Sequence, residues 1–404
     1  MKKQLLKTAI GAAIVFSISS CQKNAGENIS TGDSAVLSEK MMSENGANPD
    51  EASVATTGDA DVLSRGNKHF IYTESNGSNG NRILKFEIKN NGSLEADGSV
   101  ASGGNGTGAG LGSQGALVLD KNEDWLYAVN AGSNSVSSFK VNNNGSLSLQ
   151  HTVASGGTTP VSVAVHGNLM YVLNRGSDNI QGFTVNNNGA MTAIAGSSKP
   201  LSSTMVDAPQ ISFTPDGDWV VVTEKATNKI STFKVKNNGS IQNGIFTNSV
   251  GATPFGFAFG RGNHMIVSNA VGGAAGQGSA TSYITGNNGV PHAINGAKAN
   301  YQSAPCWVAV TKYGRYAFIT NTASNNVSSY YVAPWGALYL VDGNAANSGM
   351  GPLDIVVAEN NFYVYTLNGG SHSISIYNRT LFGGLHSLGS ESGLPAGTTG
   401  LATN

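Results

Sequence analysis

Short segments with alternating apolar and polar residues recur along most of the chain. Clear examples are Ile83–Ile88, with the letters ILKFEI, and Ile230–Val235, with the letters ISTFKV. Side chains that alternate with a period of two face opposite sides of a β-sheet, so this pattern is typical of half-buried strands. From about residue 67 onward the sequence therefore predicts strands and an all-β fold.

A hairpin signal follows most of these strands. Asn-Gly fits a two-residue hairpin turn because both residues accept positive φ. The signal returns at regular intervals, with weaker copies at Trp335-Gly336 and Gly383-Gly384. The five Asn-Gly copies are Asn91-Gly92, Asn144-Gly145, Asn188-Gly189, Asn238-Gly239 and Asn288-Gly289.

A second repeated signal is a proline or glycine that opens another strand, followed in most copies by a short apolar run. Successive openings are 43 to 51 residues apart, and each unit holds four strands. Four-stranded units of about 45 residues are the blades of a β-propeller. The openings are Gly115, Pro160, Pro209, Pro254, Pro305, Pro352 and Pro395.

Two incomplete units at the ends of the repeat settle the blade count. The strands from Phe70-Ile71-Tyr72 onward have no opening strand before them, and the last opening, Leu394–Leu401, has no later strands after it. Together they make one complete blade, which removes an exposed sheet edge. We predict a seven-bladed β-propeller over residues 65–404, with four antiparallel strands per blade and both terminal strands in one blade.

Charge and histidine spacing exclude several functions. The net charge is −1 and only 12% of residues are charged, so no basic field could hold nucleic acid. The seven histidines form no HxH or HExxH pair, and no Gly-x-Ser-x-Gly motif occurs. We therefore expect no metal site, no cofactor and no serine-hydrolase triad.

The N-terminus has the features of a targeting segment. Lys2, Lys3 and Lys7 precede a short apolar run, Ile10–Ile18. The following Ile18-Ser19-Ser20-Cys21 resembles the lipobox of bacterial lipoproteins. The resemblance implies a signal peptide over residues 1–20, an acylated Cys21 and a place in the bacterial cell envelope, with the lipid as the one membrane contact. The alternative is an ordinary signal peptide with a chance cysteine.

The segment 21–64 predicts a disordered tether. It is rich in Ser, Asn, Ala, Gly and Glu and shows no apolar periodicity. A flexible coil of this length reaches about 35 Å. Apart from Cys21 the chain has one cysteine, Cys306, so we expect no internal disulfide and an inert buried thiol. We also expect a monomer.

The blade pattern places different residues on the two faces of the ring. The loop face carries the starts of the innermost strands and the connections from second to third strands; the turn face carries the Asn-Gly turns. Asn at five equivalent strand ends indicates turn capping. Some loop-face positions carry a charged or bulky residue where the other blades have a different one. We call these positions the departures, and they are more informative than the repeated asparagines. The second strands end at Glu74, Asn130, Asn174, Glu224, Asn269, Asn321 and Asn368.

The departures predict a site for a small polar ligand or glycan on the loop face. Carboxylates, cations, amides and aromatic rings at the mouth of a channel suit such a ligand. Ordinary surface polarity explains the same residues, and Trp307 also suits a hydrophobic core. The candidate residues are Glu74, Asn174, Arg175, Gln210, Glu224, Lys225, Phe255, Trp307 and Asp354.

The segment Ala208–Gly217, with the letters APQISFTPDG, is followed by VVVTE at 220–224. This pattern resembles the seven-bladed lactonase family, which includes 6-phosphogluconolactonases and carboxymuconate cyclases. The resemblance implies that Glu224 is a general base, with Arg175 or Lys225 as its electrostatic partner. Gln210-Ile211 stands where that family has Arg-His. Tyr127–Asn130 and Tyr171–Asn174 also resemble the Tyr-Val-Thr-Asn repeats of cell-surface propellers.

Two functions follow from these observations. The first is a lactonase-like envelope protein that binds or opens a small lactone or sugar acid, or acts as a cycloisomerase. The second is a non-catalytic surface propeller that binds glycan or protein. Lactone opening requires a base and stabilisation of an oxyanion, and the missing Arg-His pair weakens that function. A pentose-phosphate role is not expected of an exported protein.

Overall fold

The computed structural model describes residues 68–404. The predicted signal peptide, Cys21 and the predicted tether lie outside the described residues. Within the described part the chain forms 29 β-strands and three single-turn 3-10 helices, at Arg175–Ser177, Arg261–Asn263 and Val271–Gly273. No helix in residues 68–404 has the length and apolar character to cross a membrane.

The strands form seven antiparallel sheets, each a blade, and sequence order runs outward from the channel in blades I to VI. In blade II a short extra strand also pairs with the third strand. Blades I to III comprise β4 (Leu117–Leu119), β5 (Trp125–Asn130), β6 (Ser135–Val141) and β7 (Leu147–Ala154); β8 (Pro160–His166), β9 (Leu169–Asn174), β10 (Asn179–Val185), β11 (Met191–Ala193) and β12 (Lys199–Pro200); and β13 (Gln210–Phe213), β14 (Trp219–Glu224), β15 (Lys229–Lys234) and β16 (Ile245–Asn248).

Blades IV to VI repeat the same meander, and the closing blade combines three early strands with the last one. They comprise β17 (Pro254–Phe259), β18 (His264–Asn269), β19 (Ser279–Thr285) and β20 (Pro291–Ala299); β21 (Pro305–Val310), β22 (Tyr316–Asn321), β23 (Asn326–Val332) and β24 (Leu338–Asn347); β25 (Pro352–Val357), β26 (Tyr363–Asn368), β27 (Ser373–Arg379) and β28 (Leu385–Ser392); and β29 (Thr399–Thr403) with β1 (His69–Glu74), β2 (Arg82–Ile88) and β3 (Leu94–Ala101).

The closing blade joins the two ends of the ring as predicted. Strand β29 pairs antiparallel with β1, with Ile71 opposite Thr403 and Glu74 opposite Thr399. The Thr73 hydroxyl adds a hydrogen bond to the carbonyl of Gly400, at 2.6 Å. Because β29 covers the inner edge of β1, that edge is paired and β29 takes the place of the innermost strand, as in the other blades. The prediction of a seven-bladed propeller is confirmed.

The glycine turns also pack one blade against the previous one. Gly145 has φ +72°, and a Cβ there would lie 2.2 Å from the Phe70 ring. Its carbonyl accepts a 2.8 Å hydrogen bond from the Tyr72 hydroxyl. Glycine is therefore required both for the turn and for close approach. The predicted copy at Gly383-Gly384 is one residue off, because the residue with positive φ is Gly383.

The hydrophobic core consists of layers between neighbouring blades. One layer combines Tyr171 and Leu173 of blade II with Phe213, Val220 and Phe233 of blade III, all of them buried. Each sheet thus has apolar side chains on both faces, as a sheet between two others requires. This packing fixes the innermost strands around the channel and the loops around its mouth.

Candidate functional site on the loop face

The side chains that end the second strands are buried and tie each blade together. Asn130, Asn321 and Asn368 each donate to the serine seven residues later, at 2.8 to 2.9 Å. In blade IV the longer connection brings Thr281 to the same place, 2.9 Å from Asn269. These amides close the connection between second and third strands, which is a structural role.

Glu224 occupies this structural position and is fully buried. Its Oε1 accepts hydrogen bonds from the Ser202 backbone N–H at 3.1 Å and from the Ser231 hydroxyl at 2.5 Å. Its Oε2 accepts from the hydroxyls of Thr227, at 2.6 Å, and Ser202. A general base must reach the proton that it removes. The geometry therefore gives Glu224 a structural role and does not support the predicted role of base.

Glu74 is also fully buried. Asn81 donates to its Oε2 at 2.9 Å, while no group hydrogen-bonds to its Oε1. Burial raises the pKa of Glu74 well above its usual range, and the bond from Asn81 opposes that rise only in part. Asn81 also reaches the Val129 carbonyl of blade I. Glu74 thus lies inside a blade-to-blade contact and is not positioned to meet a ligand.

Two further predicted ligand-binding residues also prove to be internal. Asn174 is fully buried and donates to the Ser155 carbonyl at 3.1 Å. Trp307 is 1% exposed, packs against the Phe255 ring at 5.1 Å and donates from Nε1 to the Ser113 carbonyl at 2.9 Å. Neither side chain offers a surface to a ligand, so the structure does not support these two predictions.

The Ser113 carbonyl, which accepts the hydrogen bond from Trp307, belongs to a segment that crosses the channel mouth. We call this segment, Leu111–Gln114, the plug. The Gln114 side chain donates to the Val308 carbonyl at 2.9 Å and accepts from its N–H at 3.2 Å. The Gln114 backbone N–H donates to Pro209 on a third blade. The plug therefore bridges blades I, III and V on the loop face.

Sequence reasoning missed the plug, although one signal was available. The loop between β3 and β4 spans residues 102–116, whereas the other loops that lead into an innermost strand span about four to nine residues. Glycines at 103, 104, 106, 108, 110, 112 and 115 hide any periodicity in this loop. Its unusual length was the informative feature, because long loops in compact domains are often functional.

Behind the plug lies a channel cavity of about 630 Å³, lined in part by Gln114, Gln210 and Asp354. The Gln210 amide pairs with the backbone of Phe257, at 2.8 and 2.6 Å. Asp354 accepts from the N–H groups of Ile355, at 2.8 Å, and Leu401, at 3.0 Å. Burial raises the pKa of Asp354 to about 8. The structure thus brings Gln210 and Asp354 into one cavity.

On the loop face itself, Arg175 and Lys225 converge on Asp207; we call these three residues the cation site. Lys225 Nζ lies 2.9 Å from Asp207 Oδ2 and 4.4 Å from the centre of the Phe255 ring. Arg175 Nη1 lies 3.8 Å from Asp207 Oδ1 and donates to the Leu111 carbonyl at 2.5 Å. Burial lowers the pKa of Arg175, and the Asp207 charge opposes that effect.

The nine candidate residues therefore separate into four groups. Glu74, Asn174 and Glu224 stabilise the blades, and Phe255 and Trp307 pack beneath the plug. Gln210 and Asp354 line the channel. Arg175 and Lys225 remain on the loop face with Asp207, whose side chain is 47% exposed and which sequence reasoning missed. Among residues 68–404 no group of three or more His, Cys, Asp or Glu could hold a metal ion.

Comparison with known proteins supports this fold assignment. The family model described as lactonase, 7-bladed beta-propeller, matches residues 80–207. This stretch ends just before the Ala208–Gly217 segment that suggested the family, so the sequence likeness lies in the preceding blades. No curated protein matches the chain in sequence.

Several solved structures share the ring. A protein from Lactobacillus plantarum has a TM-score of 0.67 at 17% identity, covering 83% of this chain and 99% of its own. A Bacteroides uniformis protein that carries the name 6-phosphogluconolactonase has a TM-score of 0.66 at 18% identity, with the same two coverages. The periplasmic gluconolactonase of Pseudomonas aeruginosa has a TM-score of 0.64 at 16% identity, covering 83% and 98%.

At these identities the structures show the fold, while the family model adds likeness in sequence. The chain is a seven-bladed β-propeller that is similar in sequence to the lactonase family over residues 80–207 and shares its fold with these three solved structures over 83% of its length.

Proposed function

We propose that this protein binds a small sugar acid, or the lactone of one, at the cation site. One observation carries the proposal: two cations, Arg175 and Lys225, converge on the single carboxylate of Asp207. One positive charge is left without a counter-charge within this group. A ligand carboxylate would match that charge, and arginine binds carboxylates with two parallel hydrogen bonds.

The surroundings favour recognition over catalysis at this place. Arg175 donates to the Leu111 carbonyl and Lys225 lies over the Phe255 ring, so contacts within the chain set the positions of both head groups; the Arg175 side chain is 25% exposed and that of Lys225 8%. Glu224, next to Lys225 in sequence, is committed to hydroxyl and backbone donors. The names of the similar structures, gluconolactonase and 6-phosphogluconolactonase, direct the choice of ligand towards sugar acids and their lactones.

The test is calorimetric titration of the protein with gluconate and with glucono-1,5-lactone at neutral pH. Arg175→Gln and Lys225→Gln are expected to weaken gluconate binding by about tenfold or more, which corresponds to at least about 1.4 kcal/mol. Asp207→Asn removes the competing carboxylate and is expected to strengthen it. Lys312→Gln is the matched control, because this lysine pairs with Glu359 on the turn face. Absence of binding to wild type, or equal binding by all four variants, overturns the proposal.

Lactone opening is the second candidate, and Asp354 supports it. A carboxyl group with a pKa of about 8 in a cavity of about 630 Å³ can exchange protons near neutral pH. A pH-stat assay with glucono-1,5-lactone tests it. Opening above the uncatalysed rate that Asp354→Asn abolishes supports this candidate, and a rate equal to the background in wild type excludes it for that lactone.

We also propose that Cys21 is acylated and anchors the protein in the bacterial cell envelope, on the evidence of the lipobox-like Ile18–Cys21. The wild-type chain is expected in the membrane fraction of the producing bacterium, with a mass increased by acyl chains. Cys21→Ser is expected to lose both properties. A Cys21→Ser chain that stays in the membrane fraction contradicts lipid anchoring.

A further inference from the structure

Large apolar side chains are exposed together on the turn face of blades V and VI. We call this group the aromatic patch. Five earlier turns have Asn-Gly at the hairpin, whereas these two blades have Trp335-Gly336 and Phe382-Gly383. The patch comprises Tyr313 (52% exposed), Trp335 (58%), Phe362 (37%), Leu381 (51%) and Phe382 (62%).

Hydrogen bonds and close packing bring the turns of the patch together. The Lys312 N–H donates to the Asn361 side chain at 3.0 Å, which joins the turn of Tyr313 to the turn of Phe362. The Phe362 carbonyl accepts from the Arg379 N–H at 2.7 Å, next to the Leu381–Phe382 turn. Gly383 packs on the Tyr316 ring, three residues from Tyr313. Four of the five side chains therefore belong to turns in contact.

Trp335 extends the patch towards blade IV. Its neighbour Gly336 lies against His264, at the start of the second strand of blade IV. The Arg261 guanidinium in the same blade donates to the Tyr313 carbonyl. The turns of Trp335 and Tyr313 thus meet the same part of blade IV, and the patch spans adjoining turns on one face.

The chain enters the ring beside this patch. Strand β1 starts on the turn face at His69, which lines a small cavity together with Glu359 and Asn360 of blade VI. Phe362 follows two residues after Asn360. Residues 1–67, including Cys21, therefore connect to the ring on the turn face, next to the patch and opposite the cation site.

We propose that the aromatic patch lies in the interface of a phospholipid bilayer and holds the propeller with its turn face on the membrane and its loop face pointing away. The proposal builds on the lipid anchoring of Cys21 proposed above. Tryptophan and tyrosine favour the headgroup region, and phenylalanine and leucine favour the acyl boundary below it. The tether predicted from the sequence, with a reach of about 35 Å, would leave the orientation free, and the patch would supply the second contact that fixes it.

The contact is apolar rather than electrostatic. The five side chains of the patch carry no charge; of the cations beside them, Lys312 is paired with Glu359 at 3.2 Å and the Arg261 guanidinium donates to the Tyr313 carbonyl. Binding should therefore occur on neutral phosphatidylcholine and change little with salt, unlike the binding of a basic surface to anionic lipid. Exposed apolar residues on the loop face, Met205 (83%) and Tyr301 (73%), provide a matched comparison with equal or greater exposure.

The experiment uses the chain from residue 22 onward, which lacks the signal peptide and the lipid but retains the ring that β29 closes on β1. It is mixed with phosphatidylcholine vesicles and sedimented. Trp335 is the one tryptophan that is more than half exposed among the four in the chain, so its fluorescence reports the contact. Wild type is expected to sediment with vesicles in low and high salt and to shift its emission to the blue.

The double variant Trp335→Asn/Phe382→Asn restores the residue that five other turns carry, so it should fold. It is expected to lose at least about fivefold in vesicle-bound fraction, whereas Met205→Asn/Tyr301→Asn keeps wild-type binding. Circular dichroism and thermal melting check folding, and Phe382→Asn alone serves as a milder variant. Absence of vesicle binding by wild type, or unchanged binding by the double variant, overturns the proposal.

Two further outcomes are distinguishable. If wild type dimerises in solution, ignores vesicles and becomes monomeric in the double variant, the patch binds a second copy and the membrane proposal is wrong. Because the protein used lacks the lipid, the result is independent of Cys21 acylation. The fractionation of Cys21→Ser separately decides the anchoring on which the orientation depends.

Discussion

The side chain of Gln114 pairs with both backbone groups of Val308, a residue 194 positions later, on a blade across the channel. An amide is suited to this contact because it presents a donor and an acceptor side by side. The same pairing occurs between Gln210 and Phe257, but there it joins neighbouring blades. Gln114 is therefore a brace across the ring, set in a segment that otherwise consists mainly of small residues.

Loss of this brace should destabilise the propeller. Gln114→Leu has a similar volume but leaves the N–H and carbonyl of Val308 without partners, which costs about 1 to 3 kcal/mol of unfolding free energy. Equilibrium urea unfolding, followed by the fluorescence of Trp307 beneath the plug, measures the change. Gln150→Leu, on the exposed strand β7, is the matched control and should change stability by no more than about 0.5 kcal/mol. Equal stability of the two variants would contradict the bracing role.

The buried carboxylate of Glu224 should contribute to stability. Glu224→Gln keeps the shape but replaces one charged acceptor oxygen with a donor that faces the Ser202 and Thr227 hydroxyls. We expect a loss of about 1 to 3 kcal/mol in unfolding free energy, because hydrogen bonds to a carboxylate are stronger than those to an amide. Thermal and urea unfolding test this. A variant as stable as wild type that loses lactone opening would instead restore the role of base.

Asp354 should make the protein less stable as the pH rises. Its carboxyl has a pKa of about 8 in the folded chain and about 3.9 when unfolded. Between these values the folded state retains a proton that the unfolded state releases, so the unfolding free energy falls with increasing pH, by at most about 1.4 kcal/mol per unit. The stabilisation is complete below about pH 4 and is lost through about pH 8.

Urea unfolding at pH 5, 6, 7 and 8 measures that slope. Asp354→Asn should flatten it, although the variant loses one backbone hydrogen bond and is expected to be less stable at pH 5. Burial also raises the pKa of Glu74, which adds a slope of the same sign. The pair Glu74→Gln/Asp354→Asn should therefore be flatter than either single variant. An unchanged slope in the pair would show that neither carboxyl is protonated in the folded state.

The ring was predictable because its signals are local and repeated. Each Asn-Gly turn and each opening proline has a local conformational preference that marks a turn or a strand start. With seven openings, only one arrangement joins the two incomplete units into a complete blade. One predicted turn was displaced by one residue: in blade VI the turn residues are Phe382-Gly383 and not Gly383-Gly384. The structural role of the repeated asparagines was also predicted, because an amide at the same position in several blades indicates that each amide caps a turn of its own blade.

The site was less predictable because its geometry depends on loops. Glu224 stands out in the sequence as a charged departure, but the Ser202 loop that covers it leaves no periodic signal. Asp207, which holds Arg175 and Lys225, lies in the same irregular stretch and has φ +50°. A charged residue at a position where the other blades have asparagine shows that this blade differs from the rest. The residues that contact the charge lie in another segment, and the repeat pattern does not identify them.

The closing blade also determines when the ring can close during synthesis. The Thr73 hydroxyl bonds to a carbonyl 327 residues later, and β1 has no inner neighbour until β29 has been synthesised. At about 5 to 20 residues per second, the ribosome needs roughly 16 to 65 seconds to make the intervening chain. During that interval the inner edge of β1 has unpaired backbone groups, with which strands of other molecules can pair. Synthesis of β29 thus turns an aggregation-prone intermediate into a closed ring.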